Sequence, residues 1–379
     1  MEIYLDNIAT TKIDSLVLKA MMPYFDNLYG NASSIHKQGI KASAAIEKAR
    51  AIIANKINAE PDEIYFNSGG TEGNNFVISG LVKNHTKSKK HFIISNIEHP
   101  SVFEVAKYYE ADGIDVTYIS VNKDGIINPD DIKKAIKKET IFVSVMHVNN
   151  EIGTIQPIYE IGKICKEKGV FFHSDICQSF TKTEINVKKQ NIDFATLNSH
   201  KIHGPKGVGA IYIRKGINIP PVFYGGGQEN SLRPGTYNTP GIVGFGKAVE
   251  ISNENDIVNI SNLRDYFIEK IFNSIDDVLL NGINGNNRVC NNINLIFKNV
   301  EGKKIFTELN KQNIFISTGS ACSSTILKPS RIIKALGHVD KIAHGAIRIG
   351  ISKWTTKEEL DIVIENLIEI VKKERSKIN

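Results

Sequence analysis

Seven short apolar runs recur along the first two-thirds of the chain: EIYF (63–66), HFIIS (91–95), VTYIS (116–120), IFVSVMH (141–147), VFFHS (170–174), DFATL (193–197) and GAIYI (209–213). Each is rich in Ile, Val, Phe or Tyr without strict alternation, the pattern of strands buried on both faces. Amphipathic stretches such as SAAIEKARAIIANKI (43–57) and IYEIGKICKEK (158–168) lie between most of them and predict helices. Strands alternating with helices predict an α/β fold, with a mostly parallel seven-stranded sheet covered on both sides. Ligands of such sheets sit beyond the carboxyl ends of the strands.

After about residue 255 the rhythm changes. A long helix (258–275) precedes strand candidates near 289–297, 313–317 and 345–351, with helices near 302–311, 329–336 and 356–373. This predicts a smaller α+β domain. The expected division is 14–255 for the large domain, with 1–13 and 256–379 forming the small one. A chain of 379 residues suits two such cores.

Composition narrows the class. Hydrophobic residues make up 41% and charged residues 23%, as in globular proteins generally. No apolar run reaches the roughly 18 residues that span a membrane, and MEIYLDNIATT lacks a signal peptide's basic and apolar segments. A cytoplasmic protein is expected. The net charge of +6 comes from lysines spread over helix-like segments, so no nucleic-acid surface is expected. Cys165, Cys177, Cys290 and Cys322 share no CxxC spacing, so no metal site is expected from them. The first three sit in apolar contexts and read as buried filler. Cys322 lies in STGSACSST, a small polar run suited to a reactive thiol on a loop.

Four segments following predicted strands carry candidate chemistry. NSGGTEGNN (67–75) puts Gly69, Gly70 and Thr71 at a helix start, where backbone N–H groups suit a phosphate. HSDICQ (173–178) ends an apolar strand on Asp175, a carboxylate that needs a cationic partner if buried. LNSHKIHGPKG (197–207) holds Lys201 just past a strand and Lys206 in a GPKG turn that reads as surface; a part-buried amine there can form a Schiff base, and spacing alone does not choose between them. SNIEHPS (95–101) adds His99. Each has an ordinary structural explanation alone: a Gly-rich helix cap, a strand-end Asp, a surface Lys, a packed His. Together they fit a pyridoxal-phosphate site.

With YLDNIATT, YGNASSIH (29–36), MHVNNEIGTIQP (146–157), GGGQENSLRPGT (225–236), STGSACSS and IRIGISKWTT (347–356) in the same order, the chain resembles the NifS/IscS-type cysteine desulfurases. These are fold-type-I pyridoxal-phosphate enzymes of the class-V aminotransferase group. The resemblance implies that Lys201 carries pyridoxal 5'-phosphate, Asp175 pairs with its ring nitrogen and Gln178 with its phenolic oxygen. It implies that His99 stacks on the ring and moves protons, and that Gly70, Thr71, Asn198, Ser199 and His200 hold the phosphate. Thr236 would arrive from the other subunit of a homodimer. Asn150 and Arg348 would bind the carboxylate of L-cysteine, and Cys322 would become a persulfide. An iron–sulfur scaffold or another thiolation partner would accept the sulfur, with Cys322 in transient contact with a cluster there.

The chain departs from the family's usual pattern at Asn198, where a phosphate-binding Ser is common, and at Ile176, where an Ala lies against the ring and crowding is expected. Ala32 and Asn230 also depart from it. A longer tail of the kind some members use to bind a scaffold is not expected after the last helix, which bears on the acceptor. A selenocysteine lyase, another class-V aminotransferase and a catalytically silent scaffold are the rival readings.

Overall fold

The computed structural model describes residues 2–85, 90–318 and 329–377. In the N-terminal part the order is β1 (Ile3–Tyr4), α1 (Ser15–Met21), α2 (Lys37–Lys56), β2 (Ile64–Asn67), α3 (Gly70–Asn84), β3 (His91–Ser95) and α4 (Pro100–Ala111). There follow β4 (Asp115–Ile119), α5 (Pro129–Ala135), β5 (Thr140–Ser144), α6 (Ile158–Lys168), β6 (Phe171–Asp175), β7 (Phe194–Asn198), β8 (Gly209–Ile213) and α7 (Thr239–Glu250). The remainder holds α8 (Glu254–Ser274), β9 (Val278–Leu280), β10 (Asn292–Phe297), α9 (Gly302–Lys311) and β11 (Ile314–Phe315). It ends with α10 (Arg331–Ala335), α11 (Asp340–Ala343), β12 (Ala346–Gly350) and α12 (Lys357–Arg375).

All seven apolar runs of the first part are strands of one sheet, in the order β2-β8-β7-β6-β5-β3-β4. Only β8 runs antiparallel to its neighbours, so the other six point their carboxyl ends to one edge. One face of the sheet is covered by a core that includes Ile46, Ile53, Ile161, Phe172 and Phe245. The opposite face packs Phe76, Leu81, Phe92, Val102 and Phe142. Both faces are dry, which is why these strands read as continuous apolar runs.

The helices end where local chemistry stops them. Gly169 closes α6 in the left-handed region at φ 65°, its N–H returning to the Cys165 carbonyl. Thr356 and Glu359 cap each other's backbone at the start of α12. Pro100 opens α4, whose N-cap is His99 itself, accepting from the Ser101 N–H. A residue expected to do chemistry thus also starts a helix.

The later elements build a three-stranded antiparallel sheet, β12-β10-β9, and β1 pairs in parallel with β11. Ile3 and Leu5 join Phe267, Ile293, Leu295, Ile347 and Leu367 in a separate core. A smaller cluster, with Ile97 and Ile152 against Ile296, Ile332 and Ile333, bridges the two.

Candidate active site

Beyond the carboxyl edge of the large sheet lies a cavity of about 250 Å³. Gly70 and Thr71 reach it after β2, His99 and Ser101 after β3, Met146 and Asn150 after β5, and Asp175, Cys177 and Gln178 from β6. Asn198, His200 and Lys201 come from the end of β7, Arg348 from β12, and Ile8 and Ala9 from the segment after β1. Parallel strands explain the convergence, because successive strand ends open onto one side.

At the Gly69 end, glycine is required. Gly69 holds φ 146°, open to glycine and strained for other residues. A Cβ on Gly70 would stand 2.9 Å from the Cys177 Sγ and 3.6 Å from the Asn198 Nδ2. No side chain caps α3, so its first N–H groups face the cavity end with the dipole's positive pole. Asn198 is buried, and its Oδ1 has no hydrogen-bond partner among the described residues. Such an orphaned polar atom beside a helix N-terminus fits a site built for a polar group.

Asp175 is 5% exposed. Its Oδ1 accepts from the Cys177 N–H at 2.9 Å, and its Oδ2 from the Asn74 amide at 2.7 Å. The Lys201 Nζ donates to the carbonyls of Ile8 and, at 2.6 Å, Ala9. Burial, with Arg348 adding like charge, lowers this amine to about 8, near the range of a useful base. Burial, reinforced by Lys201, Lys206 and Lys182, takes His200 down to about 3, and burial also lowers His99. Gln178 donates to the Ile8 carbonyl at 3.2 Å.

Arg348 is 2% exposed. It donates from Nη2 to the Asp6 carboxylate at 2.9 Å and from Nη1 to the Asn150 carbonyl at 3.3 Å, while its Nε finds no partner among the described residues. A fixed guanidinium with spare donors fits a substrate carboxylate. An amine, a buried carboxylate, a phosphate-sized polar end and this guanidinium together fit pyridoxal phosphate and an amino acid.

Not every expected residue reaches the cavity. Ser199 is wholly buried, with its hydroxyl close to Gly204, and does not line the cavity. Thr236 is exposed and does not line it either. Ile176 packs into the main core instead of facing a ring. The residue at the cavity is Cys177, read from the sequence as filler, so crowding at position 176 is not found. The sequence reading also missed Asn74, Ser101, Asp6 and the Ile8 and Ala9 carbonyls, whose signal is their place inside the GGTEGNN, EHPS and YLDNIATT segments.

The thiols divide sharply. Burial pushes Cys165 up to about 12 and Cys290 to about 11, and Cys177 well above its ordinary value, so all three stay protonated at neutral pH. Cys322 lies outside the described residues. The residues flanking that stretch are anchored beside the site. Ser317 and Arg348 exchange two backbone hydrogen bonds, at 3.0 and 2.7 Å. Ser330 donates to Glu151, and Arg331 to the carbonyls of Asn96 and Glu98. No group of three or more His, Cys, Asp or Glu among the described residues could hold a metal ion.

The class-V aminotransferase profile matches residues 3–363. A cysteine desulfurase, IscS, of Dictyoglomus turgidum is 45% identical over 378 residues, covering 99% of this chain and 96% of that protein. A solved NifS-like protein superposes with a TM-score of 0.91 at 34% identity, covering 98% of this chain and all of that one. SspA, solved in complex with cysteine, gives a TM-score of 0.84 at 36% identity, covering 94% of this chain and all of that one. The chain belongs to the class-V aminotransferase family.

Proposed function

We propose that this member of the class-V aminotransferase family is a pyridoxal-phosphate-dependent cysteine desulfurase, moving the sulfur of L-cysteine onto Cys322 and releasing L-alanine. One observation carries the reading: Lys201, Asp175, His99 and Arg348 line a single cavity, in a chain similar end to end to cysteine desulfurases.

Lys201 would carry the cofactor, Asp175 would face its ring nitrogen and Gln178 its phenolic oxygen. Gly70, Thr71, Asn198 and His200 would surround the phosphate, with Thr236 contributed by a second copy. When bound, pyridoxal phosphate accepts the electron pair released at the substrate Cα.

The chain's own residues do the rest. Arg348, oriented by Asp6, holds the substrate carboxylate together with Asn150. Lys201, once its amine is free, takes the Cα proton; a value near 8 leaves part of it neutral at physiological pH. Cys322 attacks the substrate sulfur as a thiolate. The new S–S bond forms as the substrate Cβ–S bond breaks, its electron pair staying with carbon, which is then protonated to alanine. L-cysteine and one thiol give L-alanine and one persulfide, so no outside oxidant is needed.

The persulfide would pass to an acceptor protein such as an iron–sulfur scaffold. A homodimer is supported by Tyr29 at 75%, Ile35 at 94% and Tyr224 at 83% exposure. Their segments meet around a hollow lined by Ala32, Ser33, Gly227, Gln228 and Tyr237. We assign 14–255 to the large domain, and 1–13 with 256–379 to the small one; Ile3 and Leu5 lie in the second core, in keeping with this. Among the described residues no helix is long and apolar enough to cross a membrane. The three described cysteines are free, as a reducing cytoplasm keeps them.

The test is alanine and persulfide formation from L-cysteine by the cofactor-loaded protein. Wild type should make both. Cys322→Ala should make neither while still changing colour on cysteine addition. Alanine release at the wild-type rate from Cys322→Ala would refute the assignment.

A further inference from the structure

Behind the cavity wall, a line of hydrogen bonds connects the two groups on which proton control depends. The Asn74 amide nitrogen donates both of its hydrogens, to Asp175 Oδ2 at 2.7 Å and to Ser101 Oγ at 2.8 Å. Asn74 is wholly buried, and Ser101 is 7% exposed. The Ser101 hydroxyl, accepting from Asn74, has its own hydrogen left for His99 Nδ1, 2.8 Å away. The Ser101 backbone N–H points at the same Nδ1 from 3.2 Å, and a backbone N–H can only donate.

Nδ1 therefore receives two donors and has no room for a proton. Asp175 accepts from the amide and so orients Asn74, while the Ser101 backbone N–H, which can only donate, sets the last link toward the imidazole. Nε2 makes no hydrogen bond with a described residue, and the ring lines the cavity. The charged groups acting on His99 are Asp175, which favours the imidazolium, and Lys201 and Arg331, which oppose it along with burial.

We propose that Asn74 and Ser101 are positioning residues that lock His99 as the neutral tautomer with its proton on Nε2, so that it offers the bound substrate a hydrogen-bond donor instead of a base. The inference rests on the desulfurase reading for its chemistry, but not for its geometry. It divides the labour in the pocket: Lys201 is the base, and His99 is the donor. It also gives α4's unusual N-cap a purpose, since one nitrogen both starts the helix and sets the tautomer.

The experiment is nitrogen NMR on the cofactor-loaded enzyme with labelled histidine. The chain has 10 histidines, and His99→Asn identifies the relevant signal by its loss. The expected pattern is an unprotonated Nδ1 and a protonated Nε2. A proton on Nδ1, or on both nitrogens, overturns the proposal. Ser101→Ala removes the hydroxyl donor and should mix the tautomers, lowering kcat about tenfold with little change in KM for cysteine; Ser101→Thr should restore both. Wild-type kcat and an unmoved spectrum in Ser101→Ala would also overturn it. Asn74→Ala, which removes the amide link, should mix the tautomers as Ser101→Ala does; should it fail to fold, the wild-type spectrum and the Ser101 pair still decide the matter. Failure of the wild type to produce alanine would sink the desulfurase reading and leave the tautomer result standing on its own.

Discussion

Gly70 and Cys177 are packed so closely that a single added carbon on the first would lie 2.9 Å from the sulfur of the second. The helix that offers its N–H groups to the cavity is thus held against the turn that carries Asp175. Gly70→Ala should push these apart at a cost of about 1.4 kcal/mol, a tenfold rise in the cofactor dissociation constant. Equilibrium dialysis against pyridoxal phosphate measures it. Cys177→Ala in the same chain should recover most of the loss, and failure to recover would mean that the contact is not the cause.

Arg348→Lys keeps a positive charge but gives up the planar fork shared by Asp6 and the Asn150 carbonyl. A lost charged hydrogen bond is worth about 1.5–3 kcal/mol. KM for L-cysteine should therefore rise by about tenfold or more, with kcat affected less. Steady-state alanine formation separates the two.

Arg50 and Glu229 form a buried two-pronged pair, Nη2 to Oε1 and Nη1 to Oε2, both at 2.8 Å. Glu229 also accepts from the Phe66 N–H, and Glu229, Asn230 and Ser231 all hold positive φ, at 49°, 55° and 64°. Glu229→Ala should destabilise the fold by about 3 kcal/mol, because it leaves the buried Arg50 guanidinium with only the more exposed Glu47 carboxylate and the Ile64 carbonyl, and takes the acceptor from the Phe66 N–H. Arg50→Met with Glu229→Leu should cost less than Glu229→Ala alone. Urea midpoints rank the variants.

Acid should weaken the fold through its buried histidines. Burial holds His147 and His173 near 4, against an ordinary 6.5. Between those values the unfolded chain binds protons that the folded chain refuses, so stability is intact above 6.5 and falls as pH drops. Each histidine contributes a slope of roughly 1 kcal/mol per pH unit in that window. Urea midpoints at pH 7 and pH 5 should differ accordingly, and His173→Asn should flatten the difference.

Much of this was legible in the residue pattern. Strands packed on both faces leave unbroken apolar runs, so all seven large-sheet strands were readable, and α6 begins and ends where its amphipathic stretch does. Short pieces that exist only through distant partners were not readable: β1 leans on β11, and β9 on β10. Position 176 was misread because β6 ends at Asp175. The chain turns there, with the Ile176 N–H bound to the Thr196 carbonyl and the Cys177 N–H to the Asp175 side chain. The family pattern set position 176 against the ring, but past this turn the Cys177 sulfur, not the isoleucine, meets the cavity. Asn74 and Ser101 carry no chemistry of their own in sequence; only the approach of α3 to α4 makes them a line.

Residues 3–9 are made long before their anchoring partners: Ile3 and Tyr4 pair with Ile314 and Phe315, Asn7 donates to the Gly350 carbonyl, and Asp6 waits for Arg348. A nascent chain can finish its seven-stranded sheet long before this leading segment has anywhere to lie. The lysine clasped by Ile8 and Ala9 stays unguarded until residues 314–350 have emerged, so the site matures well after its sheet.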